Sequence, residues 1–117
     1  MRKIYYLHSC STCQRIIKEL GGLEGFEMQN IKEEPMTPEQ VDVMYAKTGS
    51  YEALFSRRAM KYRGLGLHEK VLTEADYRKY ILEEYTFLKR PVIFIDDELF
   101  VGNTKKVVAA AKAALNI

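Results

Sequence analysis

The sequence predicts an α/β fold: a mixed sheet with helices on it, interrupted by an all-helical insertion at about residues 37–85. Three observations carry this. Strand-like runs stand at both ends of the chain, at residues 3–7, 92–95 and 99–101. Between them, residues 37–85 show helix starts and stops but no strand pattern. The first strand runs directly into Cys10-Ser11-Thr12-Cys13 and then into a helical stretch, a strand-to-helix junction near the start of the chain.

Taken in order, residues 3–7 form a strand that is apolar at nearly every position, as expected in the middle of a sheet. Ile16, Ile17 and Leu20 recur at helical spacing, and Gly21-Gly22 stops that helix. Phe26 and Met28 alternate with Glu27 and Gln29, as expected of a second strand. Thr37-Pro38-Glu39-Gln40 is a helix start: Thr as N-cap, Pro at the first helical position, Gln three residues after the cap. Val41, Met44 and Tyr45 give its apolar stripe, and Gly49 closes it. Short helical segments are expected over residues 51–55 and 58–63, with a break at Gly64-Leu65-Gly66. Thr73 opens another helix that runs to about Glu84, with Tyr77, Tyr80 and Ile81 on one side. Pro91 then precedes strand 92–95, Asp96-Asp97 turns the chain, and residues 99–101 complete a hairpin. Gly102-Asn103-Thr104 begins a last helix, with Val107, Val108, Ala111 and Leu115 facing inward. The order β-α-β, helical block, β-β-α matches a thioredoxin-type core, residues 1–34 and 89–117, with helices inserted in its middle, all as one 117-residue domain.

Composition narrows the function classes. The chain has 117 residues, 47% hydrophobic and 29% charged, the balance of one globular core. A net charge of +2 gives no ground for a direct nucleic-acid or membrane partner. The longest apolar run, residues 92–95, is far too short to cross a bilayer. The N-terminus leads straight into a strand, without the apolar stretch and small-residue cleavage site of a signal peptide, so a cytoplasmic location is expected. Nothing in the sequence requires more than a monomer.

The two cysteines, the only ones in the chain, are two residues apart at the junction. A helix N-terminus carries about half a positive charge and free N–H groups, and a cysteine there can have its pKa lowered to roughly 3.5–7.5. Cys10, at or just before the first turn, should feel this most. Cys13, one turn further in, should be more buried and protonated. The division of labour follows: Cys10 attacks and Cys13 resolves by forming a Cys10–Cys13 disulfide. The bland reading, two small core residues, does not need the junction. A zinc site is disfavoured, since only His8 and His68 could add nitrogen ligands and His8 stands almost beside Cys10. No metal is expected, and no P-loop or Gly-x-Gly-x-x-Gly implies a nucleotide. His8 could tune the thiolate, although a partly exposed histidine at a strand end is the plainer reading. The tyrosines of the helical block, Tyr51, Tyr62, Tyr77, Tyr80 and Tyr85, read as core with wet hydroxyls.

His8-Ser9-Cys10-Ser11-Thr12-Cys13, Leu54-Phe55-Ser56-Arg57-Arg58 and Lys89-Arg90-Pro91-Val92-Ile93, in this order around a helical insertion, resemble the arsenate reductase (ArsC) and Spx family of thioredoxin-like proteins. The resemblance covers essentially the whole chain. It implies that Cys10 is the nucleophile, that Arg58 and Arg90 lie near its sulfur, and that Pro91 is cis and faces it. An X-Pro bond is cis only about 5–6% of the time, so this expectation comes from the resemblance alone. Arg57 adjoins Arg58, and the residues do not settle which points inward; the motif match favours Arg58. The catalytic set expected is Cys10, Cys13, Arg58 and Arg90, and the substrate-binding set is Ser11, Thr12, Arg58, Arg90 and Pro91. Planar guanidinium forks suit an oxyanion or a carboxylate.

Two departures from the arsenate reductase pattern lean toward the Spx-like members. Asn103 stands where a third arginine is usual, and Cys13 supplies a second thiol. The resemblance therefore implies one of two functions. The first is a thiol-disulfide oxidoreductase acting on an arsenate-like oxyanion or a disulfide, with no bound cofactor and with glutathione, a glutaredoxin or a thioredoxin as reducing partner. The second is a redox-switch regulator that binds the RNA polymerase alpha C-terminal domain, for which the turn around Gly49 is the expected contact.

Overall fold

The computed structural model describes residues 1–117. The chain divides into two compact units, Met1–Glu34 with Arg90–Ile117, and Pro35–Lys89.

The first unit is built on a four-stranded mixed sheet in the order β2-β1-β3-β4. Strand β1 (Arg2–Tyr6) is central: it pairs in parallel with β2 (Glu27–Asn30) and antiparallel with β3 (Val92–Ile95). Strand β4 (Glu98–Val101) continues from β3 as an antiparallel hairpin across Asp96-Asp97. The parallel β1–β2 pair needs a crossover, and helix α1 (Ser11–Glu19) supplies it. Helix α5 (Lys105–Ala114) follows β4, with Thr104 accepting the Val107 N–H as N-cap. One face of the sheet carries the core: Ile4, Ile93, Ile95 and Phe100 pack against Ile16 and Ile17 of α1, its C-cap Leu20, and Val108 and Ala111 of α5. Strand β3 is buried at all four positions, which explains its unbroken apolar run. Helix α1 ends at Gly21-Gly22, both at positive φ (79° and 87°), and the Gly22 N–H closes onto the Ile17 carbonyl at 2.8 Å.

The opposite sheet face carries Tyr5 edge-to-face on Phe94, with ring centroids 6.3 Å apart. The buried Lys3 lies 4.7 Å over the Tyr5 ring and pairs with Glu27, its direct partner in the β1–β2 register. The expected second strand is present as β2; Phe26, just before it, packs against the core, Met28 is 43% exposed, and Gln29 is buried. The reason is local. Gln29 donates its amide to the Glu34 carbonyl at 3.0 Å, so its polar end is satisfied while β2, an edge strand, leaves Met28 open.

The second unit is helical. Helix α2 (Pro38–Thr48) and α4 (Glu74–Glu83) both start in complete capping boxes, at Thr37/Gln40 and Thr73/Asp76. Gly49 ends α2 in the left-handed conformation, φ 69°. Between them, residues 51–55 form only a 3₁₀ turn, Glu52–Leu54. Phe55 is instead extended and bridges Leu88, with the Ser56 N–H bonding to Phe87 and the Lys89 N–H to Leu54. Helix α3 spans Met60–Gly64, two residues later than expected, because Ala59 is extended and serves as its N-cap. Arg58 therefore lies in the turn before the helix. Phe55, fully buried, sits at the centre, stacked on Phe87 and tilted against Tyr77, each 5.0 Å away.

Candidate functional site

The candidate site grows out of the end of β1. After Tyr6 the chain turns, and the Cys10 N–H closes that turn on the Leu7 carbonyl at 3.0 Å. Cys10 is then the N-cap of α1, with extended φ and ψ (−86°, 113°), and its carbonyl accepts the Gln14 N–H at 3.1 Å. Ser11 is exposed and Thr12 half-buried in the first turn. Cys13, one turn on, is fully buried, and both cysteines are free thiols.

The two thiols sit in different electrostatic surroundings. Partial burial alone would push Cys10 up. The Cys13 N–H, the Cys13 thiol, the Thr12 N–H and the Arg90 charge together outweigh it and hold Cys10 below the ordinary cysteine value. Burial, together with the thiol and charge of Cys10, pushes Cys13 up to about 11, against smaller opposing effects of the Leu7 backbone and Arg90. Helix charge acts in the same sense. The first turn of α1 holds no acidic residue, whereas α2 and α4 begin with Glu39 and with Glu74 and Asp76.

Arg90 is half-buried, and its charge reaches both sulfurs. The Arg90–Pro91 bond is cis. Pro91 is buried, and its carbonyl accepts the Gly102 N–H at 2.9 Å, which brings the start of the 102–104 segment to Pro91. Asn103 follows in that segment and is exposed. Thus Cys10, Ser11, Thr12, Cys13, Arg90 and Pro91 all belong to the sheet unit. Arg58 belongs to the helical unit, where it is exposed and joins none of that unit's ion pairs. Its neighbour Arg57 is committed there: it pairs with Glu52 and donates to the Tyr77 hydroxyl at 3.0 Å.

Two residues that the sequence did not single out hold the turn before Cys10. The His8 N–H donates to Asn30 Oδ1 at 3.2 Å, and the His8 carbonyl accepts from Gln14 Nε2 at 2.8 Å. The His8 ring is exposed and lies edge-on to Tyr6. No group of three or more His, Cys, Asp or Glu side chains is placed to hold a metal ion. No helix is long and apolar enough to cross a membrane.

A mixed sheet with a free thiol pair at the N-terminus of its crossover helix and a cis-proline opening a β-hairpin defines a thioredoxin-like domain of the thiol-based oxidoreductase class. The sequence matches the profile of the ArsC family over residues 5–111, and the chain belongs to that family. Solved structures share the fold. The chain is similar to the arsenate reductase from Vibrio cholerae (17% identity, TM-score 0.76, covering 99% of this chain and 96% of that one). It is also similar to an arsenate reductase (ArsC) related protein from Brucella melitensis (23%, TM-score 0.71, 93% and 92%). SACOL0876 from Staphylococcus aureus COL gives 24% identity, a TM-score of 0.75 and coverage of 94% and 97%. A search of curated protein sequences finds no match.

Proposed function

We propose that this chain is a thiol-disulfide oxidoreductase in which Cys10 attacks and Cys13 resolves. The carrying observation is the opposite displacement of two thiols one helical turn apart, Cys10 down and Cys13 up to about 11. The Cys10 thiolate attacks one sulfur of a disulfide, forming a mixed disulfide and expelling one thiolate. Cys13 gives up its proton and attacks the Cys10 sulfur, expelling the second thiolate and leaving the Cys10–Cys13 disulfide. With an arsenate-like oxyanion, Cys10 displaces one oxygen as water. Attack on the Cys10 sulfur by Cys13 or an external thiol then releases the arsenic two electrons more reduced. Glutathione, a glutaredoxin or a thioredoxin returns the pair to thiols. Arg90 supports the thiolate and the incoming anion.

The test is a coupled reduction assay with arsenate and with a small disulfide, using glutaredoxin or thioredoxin as reductant. Turnover that disappears in Cys10→Ser is expected; no Cys10-dependent turnover with either substrate rejects the enzyme.

A second reading, a redox-switched regulator binding the RNA polymerase alpha C-terminal domain, draws on the surface beside Gly49. There Tyr45, 38% exposed, stacks on Tyr51 at 4.3 Å. A pull-down of that polymerase domain by either redox form supports it, and binding by neither excludes it.

A further inference from the structure

We propose that Asn30 and Gln14 are positioning residues for Cys10: their side-chain amides grip the backbone N–H and carbonyl of His8 and so fix the turn that delivers Cys10 to the N-terminus of α1. This rests on the reading that Cys10 is the attacking thiol.

The turn needs such support. It is a short link from β1 to α1, closed by one backbone bond from Cys10 to Leu7, and His8 and Ser9 within it are exposed. An exposed turn with a single internal bond opens easily. The two amides anchor it to two different elements. Asn30 is the last residue of β2 and lies directly beside Tyr6 in the parallel register, where the Ile31 N–H also bonds to the Tyr6 carbonyl at 2.9 Å. Its Oδ1 is thus held at the mouth of the turn and takes the His8 N–H at 3.2 Å. Gln14 stands one turn into α1. Its own N–H bonds to the Cys10 carbonyl at 3.1 Å while its side chain reaches back to the His8 carbonyl at 2.8 Å. One residue therefore holds both Cys10 and the peptide two residues before it.

The geometry matters because of how Cys10 is activated. The N–H groups of Thr12 and Cys13 act over short range and in fixed directions, so a displaced sulfur loses them. The charged or titratable groups around Cys10 are Cys13 and Arg90, with the His8 ring nearby, its Nδ1 3.4 Å from Gln14 Nε2. The two amides carry no charge of their own. They act by keeping the sulfur over its donors; Asn30 holds the His8 backbone, and Gln14 holds both that backbone and the ring Nδ1.

The test is the pH profile of Cys10 alkylation by iodoacetamide in the reduced, full-length protein, read by peptide mass spectrometry. Variants are Asn30→Ala and Gln14→Met, the second close in volume but lacking the donor. Each is expected to move the Cys10 midpoint toward that of a free thiol, by about half to one pH unit, slowing alkylation at pH 6 by about 3- to 10-fold. Thermal unfolding is measured alongside. A lowered Tm with an unmoved Cys10 profile makes the two amides merely structural and overturns the proposal. If Asn30→Ala fails to fold, Gln14→Met, at an exposed position, decides alone. A wild-type Cys10 that already titrates as a free thiol refutes the activated-thiol reading instead, which keeps the two failures apart.

Discussion

Cys10 and Cys13 are one helical turn apart, the first at the cap of α1 and the second fully buried inside it. That single turn divides the chemistry. The outer sulfur faces backbone donors and the inner one is fully buried, while the Arg90 charge reaches both. The difference is one of place, since the residue type is the same.

Selective labelling follows. At neutral pH, one equivalent of iodoacetamide is expected to modify Cys10 and leave Cys13 intact. A pKa held below the ordinary value keeps the Cys10 thiolate present on the acid side, whereas Cys13 ionises only as the pH nears about 11. Peptide mass mapping checks this, and equal labelling of the two sulfurs would contradict it.

Stability should fall on the alkaline side. Cys13 binds its proton more tightly folded than unfolded, and burial pushes Tyr5 in the same direction. A raised folded-state pKa contributes stability fully below the unfolded value and loses it as pH climbs through the folded one. The reduced protein therefore weakens as pH rises from about 9 toward 11. Urea titrations of wild type and Cys13→Ala at pH 8 and pH 11 test it: the alanine variant should lose less between the two.

Removing one cation should affect both thiols. Arg90→Met takes away a charge that lowers Cys10 and Cys13 alike. As the last in rank of the influences on Cys10, it should slow Cys10 alkylation at pH 6 by about twofold to fivefold, less than the roughly tenfold or more of a directly adjoining opposite charge. A pH-rate profile that coincides with wild type would remove Arg90 from the site.

Phe55 and Arg57 should separate packing from surface charge in the helical unit. Phe55→Ala empties a fully buried position between Phe87 and Tyr77 and should cost about 3–5 kcal/mol. Arg57→Ala breaks a pair whose members are about half exposed, and should cost about 1 kcal/mol or less. Urea unfolding of both variants measures the ratio.

The legible parts of this molecule were those set by short-range chemistry. Thr37 and Thr73 announce their helices because each hydroxyl accepts the backbone N–H three residues on, whose side chain in turn accepts the threonine's own N–H. The thiol pair was legible for the same reason, lying between a strand run and a helix run. Long-range effects were not. That the polar Gln29 is buried depends on the Glu34 carbonyl, which alternation cannot reveal. Arg57 and Arg58 are equivalent as letters, and only the placement of Glu52 and Tyr77 tells them apart. Asn30 and Gln14 left no pattern at all, since each reaches a backbone atom of His8 that only the folded turn presents.

Strand β1 pairs with β3, so Arg2 lies opposite Ile95 with most of the chain between them. A ribosome releases the thiol pair early and the strand that completes its sheet late. Through most of translation the nucleophile is present without its enclosure, open to oxidation or to capture by another chain's sulfur. Production of the intact protein should therefore depend on how reducing the surroundings are while the chain is still being made.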